Sequence, residues 1–536
     1  MMAEPQTRSL RWFLKAIPAL AALAVLVVGV QNGTFAAADT DPYGYVSEAD
    51  AIAHGALRIE QPFARSMPWP DAEATFAPPG WEPGTTGGFI VPAYPPGLPL
   101  VMAAFQRVRG RIAVFYVVPF LGALAVWVTG RLGSNIHGPY TGAFAAVLLA
   151  TNPIFVHQVV QPVSDVPATA WWTISLALLI RHSSIALFGA GLAASMGIVT
   201  RPNLVPVGAV LGLFLVQLAV RADQHSRRPA VARLALFVAG VLPGCLAIAF
   251  INQYLYGSPL RSGYAPFHEL FAWRNAIPNL NLYPRWLLER QPFIYVALLA
   301  PWAARRTAKH IWLLLTVPAV VLLSYLFYIP FERGEWGYLR FLLPGYPALL
   351  VLAVAVSLEI VTRITRRTPW RAVIVVTAFT GLATWQARQV GGAFATRVSE
   401  RRYVDVGRYI AAVMPHEAVF ISGLHAGTIR YYSNRLTVRY DLLPSRWLDE
   451  AIKVLTARGY HPYIALDEGE ESIFRRRFDQ LSDLAQFDWP PVAERFEPVR
   501  VRIYDPADRA RFLSGQAIVT GDILLVGKPR LQRREP

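Results

Sequence analysis

Long apolar stretches occupy most of the first 390 residues, and they limit the possible folds of this chain more than any other feature. A helix needs about 20 predominantly apolar residues to cross a bilayer. Eleven stretches reach or approach that length, at residues 12–31, 112–131, 138–156, 164–181, 184–200, 202–220, 232–254, 291–304, 310–329, 340–362 and 371–388. The sequence therefore predicts an α-helical polytopic membrane protein with about eleven transmembrane helices.

The composition agrees with this prediction. Hydrophobic residues make up 54% of the chain and charged residues only 16%, a balance typical of membrane proteins. The formal charge of +16 would suggest nucleic-acid binding in a soluble protein. Much of this charge lies in loops between apolar stretches, so no nucleic-acid partner is expected. The single cysteine, Cys245, excludes an internal disulfide and a cysteine zinc cluster.

Basic residues predict the orientation in the membrane, because Lys and Arg of short loops stay preferentially in the cytoplasm. With a cytoplasmic N-terminus, every strongly basic short loop falls on the cytoplasmic side. The residues concerned are Arg8, Arg11, Lys15, Arg131, Arg181, Arg221, Arg227, Arg228, Arg233, Arg305, Arg306, Lys309, Arg363, Arg366, Arg367 and Arg371. An odd number of crossings then places loops 32–111, 255–290 and 330–339 outside, together with the chain after residue 390. We expect a multi-pass protein of the inner (plasma) membrane.

The first apolar stretch has an alternative interpretation. A basic start, an apolar core and Ala36-Ala37-Ala38 also fit a cleaved signal peptide. Its length, and the acidic cluster that follows it directly, favour a retained transmembrane helix.

From about residue 391 the composition becomes that of a soluble protein. Helical patterns alternate with short strand patterns, the helices at 401–412, 446–459 and 469–484 and the strands at 418–422, 436–440 and 463–466. This alternation predicts an α/β layer domain with a β-rich tail at about 498–527. We therefore expect two domains, a transmembrane domain at 1–390 and an extracytoplasmic α/β domain at 391–536.

Four carboxylates lie at the predicted outer end of the first stretch, at Asp39, Asp41, Glu48 and Asp50. A carboxylate that is partly desolvated beside other acids can have a raised pKa and act as a general base toward an alcohol. Asp41 is the candidate base. Alternatively, Asp41 and Pro42 form the cap and first turn of a surface helix, and Asp41 can serve both purposes.

Two arginines, Arg201 and Arg340, lie at predicted outer boundaries, against the general bias of basic residues toward the cytoplasm. Each could extend to the lipid headgroups or hold a phosphate at the membrane surface. Asp165, at the start of the fourth stretch, is either a helix cap or a second acidic group in the same cavity.

The long loop 255–290 is rich in aromatic and polar residues, including Arg261 and His268. Such a loop can cover a cleft or lie at the membrane interface as an aromatic belt. No His shows metal-ligand spacing, so no cofactor is assigned and a divalent metal is left open.

Motifs spread over residues 10–390 resemble the GT-C superfamily of polyprenyl-phosphate-sugar-dependent glycosyltransferases, in particular the bacterial branch related to protein O-mannosyltransferases and aminoarabinose transferases. They follow the order of the family: Asp41 to Gly55, Tyr94 to Leu100, Asn152-Pro153 with Ser164-Asp165, Thr200-Arg201-Pro202, Tyr256-Gly257-Ser258-Pro259 and Tyr338 to Pro344. Relatives often have Asp-Glu at the first motif, where this chain has Asp41-Pro42. They also often have Lys before the Pro-Pro pair, where this chain has Tyr94.

The resemblance implies an inverting transfer from a polyprenyl-phosphate-linked sugar to a hydroxyl of a glycan, lipid or protein acceptor. Membrane lipid would surround the protein. The implied catalytic candidates are Asp41, with Asp39 as a rival base, and Asp165. The candidate substrate-binding residues are Arg201, Arg340, Tyr45, Tyr338, Arg261 and His268.

Two other functions fit a polytopic protein with charged residues. A secondary transporter would show inverted repeats and charges near the middle of the bilayer, and the sequence shows neither. A non-catalytic scaffold or sensor would not need acids and arginines on one membrane face. The motif pattern favours a glycosyltransferase.

Overall fold

The computed structural model describes residues 4–181, 183–303, 310–332, 334–365, 370–524 and 529–531. Five of the basic loop residues used above, Arg305, Arg306, Lys309, Arg366 and Arg367, lie outside these described residues.

Helices form most of the first 390 residues. They are α1 (Glu4–Asn32), α2 (Asp41–Ala53), α3 (Ala72–Thr75), α4 (Gly97–Arg109), α5 (Val117–Ile136), α6 (Pro139–Ala150), α7 (Pro153–Val159), α8 (Asp165–Leu179), α9 (Ser184–Thr200), α10 (Val205–Arg221), α11 (Gln224–Tyr256), α12 (Phe267–Leu270), α13 (Ala276–Arg290), α14 (Ala300–Ala303), α15 (Ile311–Leu326), α16 (Tyr346–Ile364) and α17 (Arg371–Arg388). Every one of the eleven apolar stretches contains helix, because apolar composition and helix propensity act locally.

In the described part of the chain, fewer than eleven helices are both long enough and apolar enough to cross a membrane. Within the described residues five helices meet both criteria: Trp12–Asn32, Arg111–Ile136, Pro202–Arg221, His225–Tyr256 and Trp336–Ile364. The helices α6 and α7 form a sixth candidate as one pair bent by 63°. Shorter apolar helices occupy Ser184–Thr200, Pro292–Ala303 and Ile311–Leu326. The chain is thus a largely helical protein with several apolar spans, and the count of eleven crossings stays a prediction.

The first loop, residues 32–111, contains both helices and strands. It carries a small antiparallel sheet of β1 (Ile59–Glu60), β2 (Trp81–Pro83) and β3 (Phe89–Pro92), in the order β1-β3-β2. The helix α2, predicted as a possible surface helix, is instead mostly buried, with Tyr43 and Tyr45 each 4% exposed.

The C-terminal region, which we define as the chain from residue 391 onward, is built on one sheet. Its helices are α18 (Gly391–Val413), α19 (Ala426–Ser433), α20 (Leu448–Ala457), α21 (Glu468–Phe478) and α22 (Pro506–Leu513). Its strands are β4 (Ala418–Ser422), β5 (Leu436–Arg439), β6 (His461–Asp467), β7 (Ala493–Arg495), β8 (Val501–Tyr504), β9 (Val519–Asp522) and β10 (Pro529–Leu531).

The sheet order is β10-β9-β7-β8-β6-β4-β5. The strands β5, β4 and β6 run parallel, while β8 lies antiparallel to both β6 and β7. The predicted β-rich tail is only partly correct, because α22 interrupts it. The helix expected at 469–484 ends at Phe478.

The first loop and the C-terminal region share a hydrophobic core. Trp69 and Phe76 of the loop pack in one buried cluster with Val438, Ile464 and Phe474 of the C-terminal region. This shared core fixes the loop beside the sheet, and the loop in turn carries Asp39 and Asp41.

Candidate active site

Asp41 is placed by an abrupt turn between α1 and α2. Asp39 has a φ of 49°, in the left-handed region that non-glycine residues rarely adopt. The helix α2 then starts at Asp41, with Pro42 in its first turn. The partial positive charge at a helix N-terminus favours the Asp41 carboxylate. Asp41 thus lies in the first turn of α2, directly after the N-cap residue Thr40, and it also lines a cavity; its use as a base stays a prediction.

Both carboxylate oxygens of Asp41 are engaged. The hydroxyl of Tyr94 donates to Oδ1 at 2.6 Å, and Nη2 of Arg340 donates to Oδ2 at 2.8 Å. Burial and the nearby Asp41 carboxylate raise the pKa of Tyr94 well above its ordinary value. Tyr94 therefore remains a proton donor, and the two contacts fix the direction of the carboxylate.

Arg340 lies in a 3-10 helical segment, Trp336–Gly345, just before α16. Its Nη1 is 4.0 Å from Oδ2 of Asp165, and its guanidinium lies over the rings of Tyr338 and Phe341. The side chain is 21% exposed, so part of this cation faces the cavity.

Arg201 is held more tightly than Arg340. Its Nη2 donates to Oδ1 of Asp165 at 2.7 Å, its Nε to the Ser164 hydroxyl at 3.1 Å and its Nη1 to the Tyr325 hydroxyl at 3.0 Å. Tyr45 also donates to the Ser164 hydroxyl, at 2.8 Å. Every guanidinium nitrogen of Arg201 therefore has a protein partner, and Asp165 is 1% exposed beneath it.

These residues surround one cavity of about 960 Å³. Of the predicted site residues, six line it: Asp41, Tyr45, Arg201, Arg261, Tyr338 and Arg340. Aromatic side chains form much of the remaining wall, namely Tyr94, Tyr256, Tyr264, Phe267, Phe271, Tyr325, Tyr328, Phe331 and Phe341. Asp41, Arg201 and Arg340 are far apart in sequence, and all three line this one cavity.

Three predicted site residues do not line the cavity. Asp165 lies behind the wall and contacts it through both arginines. Asp39 accepts a hydrogen bond of 3.2 Å from the Thr40 hydroxyl. Its pKa is raised by burial and by the Asp41 carboxylate, while Thr40 and Arg402 of the C-terminal region oppose this shift. His268 is 83% exposed, beside Glu269, and the structure does not bring it to the other candidates.

The positions of the carboxylate and histidine side chains bear on the divalent metal that the sequence left open. Among the residues that the structure describes, no three His, Cys, Asp or Glu side chains form a group that could hold a metal ion. Asp39 and Asp41 are close in sequence, but only Asp41 faces the cavity.

Sequence reasoning missed the role of two tyrosines. Tyr94 was noted only as a departure from the lysine of related proteins, yet it donates directly to Asp41. Tyr325 lies within an apolar stretch and was not identified, although it contacts Arg201. A tyrosine in an apolar helix needs a partner for its hydroxyl, and this was the only signal available for Tyr325.

Comparison with known proteins yields matches to solved structures. No family model and no curated protein matches the chain. The oligosaccharyltransferase of Archaeoglobus fulgidus in the apo form matches with a TM-score of 0.55 at 11% identity, covering 86% of this chain and 70% of that chain. ArnT from Cupriavidus metallidurans bound to undecaprenyl phosphate matches with a TM-score of 0.52 at 13% identity, covering 90% of this chain and 97% of that chain.

A third structure is the archaeal oligosaccharyltransferase AglB from Archaeoglobus fulgidus in complex with an inhibitory peptide and a dolichol-phosphate. It matches with a TM-score of 0.52 at 11% identity, covering 89% of this chain and 72% of that chain. At such low identity the likeness concerns the fold. The chain therefore has a fold similar to those of ArnT and the archaeal oligosaccharyltransferase, which agrees with the fold that the resemblance of its motifs predicted.

Proposed function

We propose that this protein is an inverting membrane glycosyltransferase. It moves a sugar from a polyprenyl-phosphate donor to an acceptor hydroxyl on the extracytoplasmic face of the inner membrane. The observation that carries the proposal is the contact of 2.8 Å between Arg340 and Asp41 in a cavity of about 960 Å³. A candidate base and a candidate phosphate ligand thus lie side by side.

The proposed reaction needs one base and one cation. Asp41 accepts the proton of the acceptor hydroxyl, whose oxygen attacks the anomeric carbon of the sugar. The bond from that carbon to the phosphate oxygen breaks, and its electron pair leaves with the polyprenyl phosphate. Arg340 stabilises the charge of this leaving group. The leaving group is already a stable anion, so no general acid is required.

The two arginines have different roles in this proposal. Arg201 gives each of its guanidinium nitrogens to Asp165, Ser164 or Tyr325, which makes it a structural cation. Arg340 has a weaker second contact, 4.0 Å from Asp165, and so keeps donor capacity for a phosphate. We therefore assign direct phosphate binding to Arg340 and a supporting role to Arg201.

Two of the similar structures hold lipid phosphates, undecaprenyl phosphate in ArnT and dolichol-phosphate in AglB. This supports a donor of the same chemical class here. The aromatic wall of the cavity, with Phe331 stacked on Tyr338 at 3.5 Å, supports binding of a ligand with an apolar part.

The test uses the purified full-length protein with a panel of polyprenyl-phosphate-linked pentoses and hexoses and an extract of envelope glycans, lipids and proteins as acceptor. We expect acceptor-dependent release of free polyprenyl phosphate from at least one donor. Asp41→Asn should slow this release by about 100-fold or more, and Asp71→Asn, at an exposed position of the same loop, should retain it. Absence of turnover with every donor, or equal turnover by Asp41→Asn, would contradict the proposal.

A further inference from the structure

The segment that joins α1 to α2 is fastened from two sides. On one side, the Thr34 amide donates to the carbonyl of Val160, at the end of α7, at 2.9 Å. On the other side, the Ala37 amide donates to the hydroxyl of Tyr432, in α19 of the C-terminal region, at 2.8 Å. Ala37 is fully buried, so its amide needs this protein partner.

Side chains of the C-terminal region also pack against this segment. Tyr403 of α18 forms a buried cluster with Ala36 and Ala38. Gly427 of α19 lies so close to the ring of Tyr43, in α2, that a Cβ added there would be 2.7 Å from the Tyr43 Cγ. The small side chains of Ala36 and Ala38, and the absence of a side chain at Gly427, allow the C-terminal region to approach the segment this closely.

A charged network continues the interface. Arg402, whose charge opposes the raised pKa of Asp39, donates through Nε to Asp467 at 3.0 Å and through Nη2 to the Tyr403 hydroxyl at 2.9 Å. Asp467 in turn lies 2.7 Å from His425. Burial opposes ionisation of Asp467, but His425 and Arg402 outweigh it and lower the pKa of this carboxyl. The C-terminal region therefore presents a fixed cation to the segment.

We propose that the C-terminal region holds residues 34–43, the segment that carries Asp41, in position for sugar transfer, with Tyr432 and Gly427 as positioning residues. This inference rests on the proposed function of Asp41. The segment has contacts on both of its sides, and a displacement of about 1 Å can cost a catalytic group roughly 100-fold in rate.

Tyr432→Phe tests the hydrogen bond, with Tyr460→Phe of the same region as control. Hydrogen exchange of the full-length protein should show roughly tenfold faster exchange at the peptide containing Ala37 in Tyr432→Phe only. In the same variant kcat should fall roughly tenfold, while the donor KM and the thermal midpoint stay near the wild-type values. Unchanged exchange, or faster exchange with unchanged kcat, would overturn the inference.

Gly427→Ala tests the packing, and Gly469→Ala provides a matched control, because a Cβ at Gly469 meets nothing within 4 Å. We expect Gly427→Ala to lower kcat roughly tenfold or more and Gly469→Ala to leave it unchanged. Adding Tyr43→Ala to Gly427→Ala removes the clashing ring atoms and should restore part of the activity. Equal activity of the two alanine variants would contradict the inference.

The two proposals can fail separately. Hydrogen exchange at Ala37 reports the contact with Tyr432 whether or not any donor turns over. A wild-type protein without transfer activity would refute the proposed function, and unaltered exchange in Tyr432→Phe would refute the positioning role.

Discussion

Arg340 donates a hydrogen bond of 2.8 Å to Asp41, although 299 residues separate them in sequence. The ion pair joins the first loop to the segment before α16, and both partners line the same cavity. A phosphate that enters this cavity would compete with Asp41 for the guanidinium. Donor binding would thereby release the carboxylate from its cation and leave it available as a base.

The first prediction concerns donor binding by Arg340. In the role proposed for Arg340, Arg340→Ala removes charge-assisted hydrogen bonds to the donor phosphate, each worth about 1.5–3 kcal/mol. We expect the apparent donor KM to rise roughly 10-fold to 100-fold, with a much smaller change in the acceptor KM. Steady-state kinetics with varied donor and then varied acceptor measure both values. Arg274→Ala, at an exposed position in the loop 255–290, is the control; an unchanged donor KM in Arg340→Ala would refute phosphate binding.

The second prediction separates the two candidate bases. Asp41 faces the cavity and Asp39 does not, so Asp41→Asn should lower kcat by about 100-fold or more. Asp39→Asn should retain most of the transfer activity, since Asn is also tolerated at a positive φ. Circular dichroism and thermal unfolding establish that both variants fold. The reverse order of activities would identify Asp39 as the base.

The third prediction concerns Tyr94, whose hydroxyl orients Asp41. Tyr94→Phe keeps the ring and loses one hydrogen bond to the carboxylate, an interaction worth about 1.5–3 kcal/mol. We expect a lower kcat with an unchanged donor KM, the opposite pattern to Arg340→Ala. Tyr116→Phe, at a more exposed tyrosine, serves as the control. A raised donor KM in Tyr94→Phe would indicate that Tyr94 instead binds the phosphate.

Local patterns in the sequence predicted most of the secondary structure. Apolar length identified the helices of the membrane region, and alternation of periodicity identified β4, β5 and β6 in the C-terminal region. The helix α22 was missed within the expected β-rich tail, although Asp505 followed by Pro506 is an N-terminal helix signal. The apolar strand patterns before and after this signal favoured the prediction of strands instead of a helix.

The site was predictable only in part. The order of the motifs led to the hypothesis that Asp41, Arg201 and Arg340 belong to one site. All three residues line one cavity in the structure. The partners Tyr94 and Tyr325 depend on tertiary packing of segments far apart in sequence, which no local pattern reports. His268 was a candidate only because histidine can bind polar substrates. Its side chain is exposed to solvent and does not line the cavity.

Glu48 provides the last prediction, which concerns stability and pH. This residue of α2 is 1% exposed, and its Oε2 has no hydrogen-bond partner among the described residues. Burial raises the pKa of Glu48 well above its ordinary value of 4.5. The folded protein therefore keeps a proton that the unfolded chain releases above pH 4.5. Stability falls as the pH rises from 4.5 toward the raised pKa, by at most about 1.4 kcal/mol per pH unit.

Glu48→Gln removes this dependence, because the amide has nearly the shape of the protonated acid and cannot ionise. We expect the variant to gain thermal stability relative to the wild type, with a larger gain at pH 8 than at pH 5. Thermal unfolding of the detergent-solubilised full-length protein at both values measures the difference, and Glu60→Gln, at an exposed strand position, is the control. Below pH 4.5 both chains carry a neutral group at position 48, so the gain should disappear there. A gain that does not vary with pH would show that Glu48 is ionised in the folded protein.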